Sequence, residues 1–160
     1  MFSRGACRGG RGMVEMKNRI TCIWCVFFLW ILCAGIACGA AQEQGYFEQG
    51  RELYGRSRFD EAIRIFTKGI EADERDARLY LYRGNAYYSR ADFGFAIADY
   101  TAACSLDPGF ALAYYNRAVA YYSVQDYGRA WDDVRQALSL GYVPAAEFFE
   151  QLKEDSGRAQ

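Results

Sequence analysis

The 160-residue chain contains no histidine. This absence removes the commonest general base and zinc ligand, and with them every Ser-His or Cys-His nucleophilic arrangement. The chain also lacks an excess of positive charge, because 19 lysines and arginines are balanced by 20 aspartates and glutamates. No global positive field is therefore available to bind nucleic acid. We predict a protein that is not an enzyme, with no catalytic residues, no metal site, no cofactor and no nucleic-acid partner.

Cysteine is scarce outside the N-terminal third. Five of the six cysteines precede residue 39, and only Cys104 lies in the rest of the chain. No intramolecular disulfide can form among residues 42–160, and Cys104 is predicted to be a small core residue in an apolar helix. Cys22 and Cys25 form a C-x-x-C pattern inside an apolar run without a second pair, which favours simple filling of that run over a metal or redox site.

The N-terminal segment, residues 1–41, is predicted to be a signal peptide or a membrane anchor. Five basic residues and a single acidic residue occupy positions 1–19, and residues 20–38 follow without any charge. The small residues Gly39-Ala40-Ala41 come next, which is the order typical of an export signal. Nineteen residues at about 1.5 Å each span roughly 28 Å, so retention as an anchor is also open.

Three fates of this segment are therefore considered: cleavage before Gln42, lipidation at Cys38, and an uncleaved anchor. Cys38 follows Gly35-Ile36-Ala37, which resembles a bacterial lipoprotein box except that Gly35 replaces its usual leucine. Residues 1–15 are rich in glycine and arginine without a structure-forming pattern, so translation is predicted to start at Met16. Each fate predicts a protein of the bacterial envelope, either periplasmic or membrane-anchored.

A 34-residue period governs the remainder of the chain. The middle copy reads Tyr80-x2-Arg83-Gly84-x2-Tyr87. It recurs 34 residues later as Tyr114-x2-Arg117-Ala118-x2-Tyr121, and 34 residues earlier as Tyr46-x2-Gln49-Gly50-x2-Leu53. An alanine also recurs at this spacing, as Ala62, Ala96 and Ala130.

The pattern resembles the tetratricopeptide repeat (TPR), a pair of antiparallel helices that stacks on its neighbours. The resemblance implies an all-α superhelical solenoid of three helix pairs, at residues 43–76, 77–110 and 111–144, with a C-terminal capping helix at 145–155 and a frayed tail at 156–160. Small residues such as Gly50 and Gly84 would let two helices approach closely despite their cost in helix propensity. The chain departs from the family at Gln49, Arg83 and Arg117, where leucine is usual.

The resemblance places a binding surface on the concave side of the solenoid, where the first helix of each pair contributes. Predicted contacts with a protein partner are Phe47, Arg51, Tyr54, Arg78, Leu81, Asn85, Tyr88, Tyr115, Asn116 and Tyr122. Tyrosine rings with a few amides and arginines suit an extended peptide or an amphipathic helix. An alternative is that some of these rings pack against neighbouring helices and complete the core.

The predicted function is a non-enzymatic adaptor or assembly factor of the cell envelope. One known TPR function is argued against by residue type. Members that bind the acidic tails of heat-shock chaperones use Lys, Asn, Asn, Lys and Arg, where this chain has Phe47, Arg51, Tyr82, Leu112 and Asn116. Acidic carboxylate pairs such as Asp132-Asp133 are predicted to lie on solvated helix faces.

Two alternative functions remain. The outer face of the middle pair carries Phe95, Ala98 and Ala102 where the other pairs carry charges, which predicts a homo-oligomer interface. The other alternative is an accessory subunit of an envelope transporter or enzyme complex.

Overall fold

The computed structural model describes residues 45–157. These residues form seven helices and no strand. The predictions for residues 1–41, including Cys38 and the start at Met16, lie outside the described residues, as does most of the predicted tail. The first helix, α1, is described from residue 45 and ends at residue 55. The others are α2 (Phe59–Ala72), α3 (Ala77–Ser89), α4 (Phe93–Leu106), α5 (Ala111–Ser123), α6 (Tyr127–Ser139) and α7 (Ala146–Asp155).

The helices form three antiparallel pairs, α1–α2, α3–α4 and α5–α6, followed by α7. Each pair turns through one residue with left-handed backbone, at Ser57, Ala91 and Gln125, with φ between 58° and 62°. In every copy the next amide N–H donates to a carbonyl near the end of the first helix, as in Asp92 N to Tyr87 O at 3.0 Å. The predicted all-α solenoid of three pairs and a capping helix is confirmed.

The loops between pairs are alike in the first two copies and differ in the third. Asp73 accepts from Arg75 N and Asp107 accepts from Gly109 N, each at 2.9 Å, so an aspartate organises both loops whether or not the proline of the middle copy is present. Between α6 and α7 the chain instead turns at Gly141, with φ of 85°. Such left-handed backbone favours glycine.

The two helices of each pair touch where a small residue lies opposite a large one. A Cβ atom added at Gly84 would lie 2.7 Å from Tyr100 Cε1, and one at Gly50 would lie 2.4 Å from Phe66 Cε1. The third copy has alanine in place of glycine and the smaller Val134 in place of the aromatic ring, and both residues are fully buried. The sizes of the two partners therefore compensate in all three pairs.

A buried Arg–Asp ion pair joins the two helices of the second pair and of the third pair, and its arginine also binds the preceding pair. Arg83 on α3 donates through Nε and Nη2 to both carboxylate oxygens of Asp99 on α4, each at 2.8 Å, and through Nη1 to Thr67 Oγ1 on α2 at 3.1 Å. Arg117, Asp133 and Thr101 repeat this arrangement 34 residues later, at 2.7, 2.8 and 3.1 Å. At both positions, where the resemblance predicts leucine, the guanidinium is therefore bound by an aspartate.

The placement of Asp133 on a solvated face was wrong. Asp99 and Asp133 are each 6% exposed, and only Asp132 lies at the surface. Each carboxylate accepts two charge-assisted hydrogen bonds from a guanidinium, which compensate for its removal from water. The same bonds raise the pKa of Arg83 and Arg117.

The capping helix covers the end of the third pair. Leu152 is fully buried among residues of α5 and α6. The ring of Phe149 meets Trp131 edge to face at 5.2 Å, and Trp131 Nε1 donates to Ser156 Oγ at 3.0 Å. Across residues 45–157, no helix combines the length and the apolar character needed to cross a membrane.

Gly84→Ala should lower the free energy of unfolding by about 1–3 kcal/mol, because the new methyl group meets the Tyr100 ring and overpacks the contact. This loss should exceed the gain of roughly 1 kcal/mol in helix propensity. Gly128→Ala is the matched control, since its Cβ would have only Asp126 Oδ1 nearby, at 3.9 Å. Urea unfolding followed by circular dichroism measures both, and equal stability of the two variants would contradict the packing argument.

Asp133→Ala should lower the free energy of unfolding by roughly 3–5 kcal/mol, because Arg117 is left as a buried charge without its partner. A variant carrying both Arg117→Leu and Asp133→Ile should lose much less, since neither charge remains and the volume is largely kept. Thermal and urea unfolding of the two variants provide the comparison. A double variant as unstable as Asp133→Ala would show that the burial of charge is not the cause.

Candidate functional site

The concave side of the helix pairs contains an open cleft of about 300 Å³. Residues of α1, α3, α4 and α5 line it: Tyr54, Asn85, Tyr88, Tyr100, Tyr115, Asn116 and Val119. Five of these were predicted from the sequence as partner contacts, namely Tyr54, Asn85, Tyr88, Tyr115 and Asn116. No charged side chain is part of the lining.

A hydrogen-bonded trio lies at the centre of the cleft. Asn85 Oδ1 accepts from Tyr100 OH and from Asn116 Nδ2, each at 2.8 Å. Burial raises the pKa of Tyr100, so its hydroxyl keeps its proton and remains the donor. Asn85 Nδ2 and Asn116 Oδ1 form no hydrogen bond to the other described residues. The trio thus presents one amide donor and one amide acceptor to the cleft.

A row of tyrosine hydroxyls links the first helices of successive pairs. Tyr54 OH lies 3.3 Å from Ser89 Oγ, and Tyr88 OH lies 3.0 Å from Ser123 Oγ. Both rings also pack on the aromatic residue that begins the second helix of their own pair, Phe59 and Phe93, with centroids 5.6 and 5.3 Å apart. These tyrosines therefore hold neighbouring repeats together and also form the wall of the cleft.

The C-terminal end of the tyrosine row is covered by the capping segment. Tyr122 OH donates to Asp155 of α7, and this bond raises the pKa of Tyr122 to about 12. Phe148 of α7 meets both Tyr115 and Tyr122 edge to face, with centroids 5.6 Å apart in each case. The ring of Tyr115 also contacts that of Tyr142, with centroids 4.8 Å apart, and burial raises the pKa of Tyr115. Tyr122 thus packs against α7 and does not line the cleft.

Two predicted contacts belong to the core and not to the cleft. Leu81 is 1% exposed and packs in the cluster that contains Tyr100 and Ala113. Phe47 is 9% exposed and meets Tyr82 edge to face at 5.1 Å. Both positions line the groove in the family's general scheme, but the neighbouring aromatic side chains cover them here.

Arg51 and Arg78 both lie close to the Phe47 ring, with guanidinium carbons 5.8 and 4.8 Å from its centroid. Each arginine already has an acidic partner, since Arg51 pairs with Glu48 at 3.5 Å and Arg78 with Asp76 at 2.7 Å. Burial would raise the pKa of Asp76, but the hydrogen bonds from Arg78 outweigh it and lower that pKa. This end of the concave side therefore offers little net positive charge.

Two cleft residues were missed by the sequence reasoning. Val119 occupies the same repeat position as Arg51 and Asn85, so the 34-residue spacing could have identified it. Tyr100 lies on a second helix, outside the set of first-helix positions that was considered. Its ring reaches the cleft because Gly84 has no side chain to block it.

Two further kinds of site, a metal centre and a reactive thiol, can be compared with the described residues. Residues 45–157 contain no group of three or more Cys, Asp or Glu side chains arranged to bind a metal ion. Cys104 is buried, and burial raises its pKa to about 11. The thiol is therefore protonated and poorly nucleophilic at neutral pH.

Comparisons with known proteins point to one fold. A family model described as TPR repeat matches residues 84–125. The first TPR of Spaghetti (RPAP3), bound to the HSP90 peptide SRMEEVD, is 28% identical, with a TM-score of 0.67 over 72% of this chain and 91% of that one. The TPR2B domain of yeast Sti1 in complex with pHsp70 is 26% identical, with a TM-score of 0.66 over 74% and 98% of the two chains.

The first TPR domain of human RPAP3 is also 28% identical, with a TM-score of 0.65 over 72% of this chain and 90% of that one. A sequence comparison with curated proteins finds no match. The family match, the structural neighbours and the 34-residue period agree: this chain has the all-α tetratricopeptide-repeat fold.

Proposed function

We propose that the repeat domain is a protein-interaction module that binds an extended segment of a partner protein in the concave cleft. The observation that carries this proposal is the pair of unbonded amide groups, Asn85 Nδ2 and Asn116 Oδ1, at the centre of a tyrosine-walled cleft. An extended backbone offers the complementary carbonyl and N–H groups at every residue. In an extended segment the N–H and the C=O of one residue point to the same side, so a single residue can offer a partner to each amide.

The walls of the cleft indicate what kind of segment fits. Tyrosine rings provide large contact areas with little loss of conformational entropy, and a cleft of about 300 Å³ accommodates an apolar or aromatic side chain beside the backbone. Because no charged residue lines the cleft, a charged side chain would lose its hydration there without gaining a partner. We therefore propose an uncharged segment as the ligand.

The comparisons support peptide binding in general, since two similar TPR domains are described as complexes with an HSP90 peptide and with pHsp70. The residues do not favour an acidic chaperone tail for this chain. Of the five positions compared with the chaperone clamp, Phe47 is buried, Arg51 is paired with Glu48, and Asn116 is bonded to Asn85. The ligand is thus expected to differ from SRMEEVD.

The cleft can be tested by crosslinking in cells, followed by purification of the full chain and identification of the captured proteins. A chain with Asn85→Ala and Asn116→Ala should recover the specific partner at least tenfold less than the unaltered chain. Each lost hydrogen bond is worth about 1 kcal/mol, and a loss of 1.4 kcal/mol corresponds to a tenfold change in affinity. The SRMEEVD peptide should show no saturable binding in calorimetry.

Two further variants separate recognition from folding. Gln136→Ala removes an exposed amide on α6, outside the cleft, and should retain the partner. Tyr100→Phe removes the hydrogen bond that orients Asn85 but keeps both amides, so it should weaken recovery less than the double Asn variant. All variants should give the same helical circular dichroism. An unchanged partner list for the double Asn variant would place recognition outside the cleft, and saturable binding of SRMEEVD would make an acidic tail the better candidate.

We also propose that the domain works outside the cytoplasm in a bacterial envelope, where residues 1–41 export it or hold it at the membrane. The charge pattern of that segment and its uncharged 19-residue run support this location. Alkaline phosphatase fused after Gln160 should be active in cells, because this enzyme matures only after export. The same fusion lacking residues 16–41 is the control, and equal activity of both fusions would contradict an exported domain.

A further inference from the structure

The outer face of the middle repeat contains a cleft where the first repeat has an ion pair. Arg90, in the turn between α3 and α4, binds Asp60 at the start of α2, with Nη1 and Oδ1 2.7 Å apart. One repeat later the same two positions are Val124 and Gly94. Without these two side chains, an open and mainly apolar cleft of about 710 Å³ lies between the second and third repeats, lined by Ala91, Asp92, Phe93, Gly94, Phe95, Ala98 and Val124. Its charged member, Asp92, is paired with Arg90, with Oδ2 and Nη2 3.1 Å apart.

Phe95 protrudes at the edge of this cleft. The residue is 65% exposed, and its ring stacks on Tyr87 with centroids 5.2 Å apart, so its position is defined. The first and third repeats have Glu61 and Arg129 at this position, both of which prefer water. Exposure of the phenyl ring is unfavourable by about 25 cal/mol per Å² of apolar surface.

The rest of the α4 surface is also without charge. Asp99 is the only charged residue in α4, and it is buried in the pair with Arg83. Ala98 is exposed and Ala102 is half-buried, where α2 and α6 carry Arg64 and Asp132 at the position of Ala98. The middle helix thus has an uncharged outer face, although the outer faces on both sides of it are charged.

We infer that this face binds a second copy of the chain, with Phe95 of each copy inserted into the cleft of the other. A protruding ring that borders an apolar cleft is self-complementary under twofold symmetry, because each copy supplies both the side chain and its receptor. The cleft volume is ample for one phenyl ring. The lining of this cleft shares no residue with that of the concave cleft, so both can be occupied together.

The charges beside the patch select the second copy as the occupant. A twofold axis along α4 places α2 of one copy opposite α6 of the other at equivalent repeat positions. Glu61 then faces Arg129, and Arg64 faces Asp132, so the signs are opposite at both positions. Within one copy Glu61, Arg129 and Asp132 pair with Arg58, Asp126 and Arg135, and these exposed pairs can be shared across the interface. Such complementarity fixes the orientation of two surfaces and suppresses other pairings.

The test uses two differently tagged copies of the full chain, expressed together, solubilised in detergent and purified through one tag. The unaltered copies should purify together. Phe95→Asp in both copies should reduce recovery of the second tag at least tenfold. Gly94→Asp with Val124→Arg should do the same with Phe95 intact, because the ion pair of the first repeat then fills the cleft.

Val143→Asp is the matched control, since Val143 is 80% exposed and lies outside this cleft. Recovery of the second tag should not change in this variant. Glu61→Arg should weaken recovery severalfold, and adding Arg129→Glu to the same chain should restore it if the twofold axis lies along α4. Failure of unaltered copies to purify together would overturn the inference. Retained association in the Gly94→Asp, Val124→Arg variant would also overturn it, and this variant decides the matter if Phe95→Asp alters the circular dichroism.

Discussion

The contact between Gly84 and Tyr100 connects the fold of this protein to its candidate site. A Cβ at Gly84 would lie within 3 Å of the tyrosine ring, so the two helices can approach only because that atom is missing. The same close approach carries the Tyr100 hydroxyl across α3 to Asn85 Oδ1. Asn85 is thereby fixed with its amide nitrogen directed to other partners. The packing that lets the pair close thus also orients the central polar group of the cleft.

The buried Arg–Asp pairs give the stack its register. Each arginine has three partners, two oxygens of an aspartate in its own pair and a threonine hydroxyl in the preceding pair. Apolar contacts alone would tolerate a small sliding of one pair over the next, but a bidentate bond with a third fixed acceptor would not. The first pair, with Gln49 and Ile65 at these positions, has no preceding helix pair within the described residues to align.

The 34-residue period predicted the three pairs, and the resemblance to the tetratricopeptide repeat added the repeat positions that include five residues of the cleft. Both failed where the contact depends on what a neighbour contributes. Leu81 and Phe47 were assigned to the surface by position, yet larger rings cover them. Asp133 was predicted to lie on a solvated helix face together with Asp132, yet it is buried against Arg117. Its separation from Arg117, 16 residues, equals that of Asp99 from Arg83, and this recurrence was the available clue.

Departures from the 34-residue period coincide with the two surfaces that are proposed as binding sites. A repeat position that is constant serves the contact that every pair makes, as the small residues and alanines do. A position that changes without loss of the fold is free to serve another purpose. Asn85 and Val119 differ from Arg51 on the concave side, and Phe95, Gly94 and Val124 differ from their charged counterparts on the outer side. Both sets lie in the middle repeat and at its contact with the third repeat, and the middle repeat is the only one with a helix pair on each side in the described residues. A binding site there gains the most from the rigidity of the stack, because its walls are fixed by neighbours in both directions.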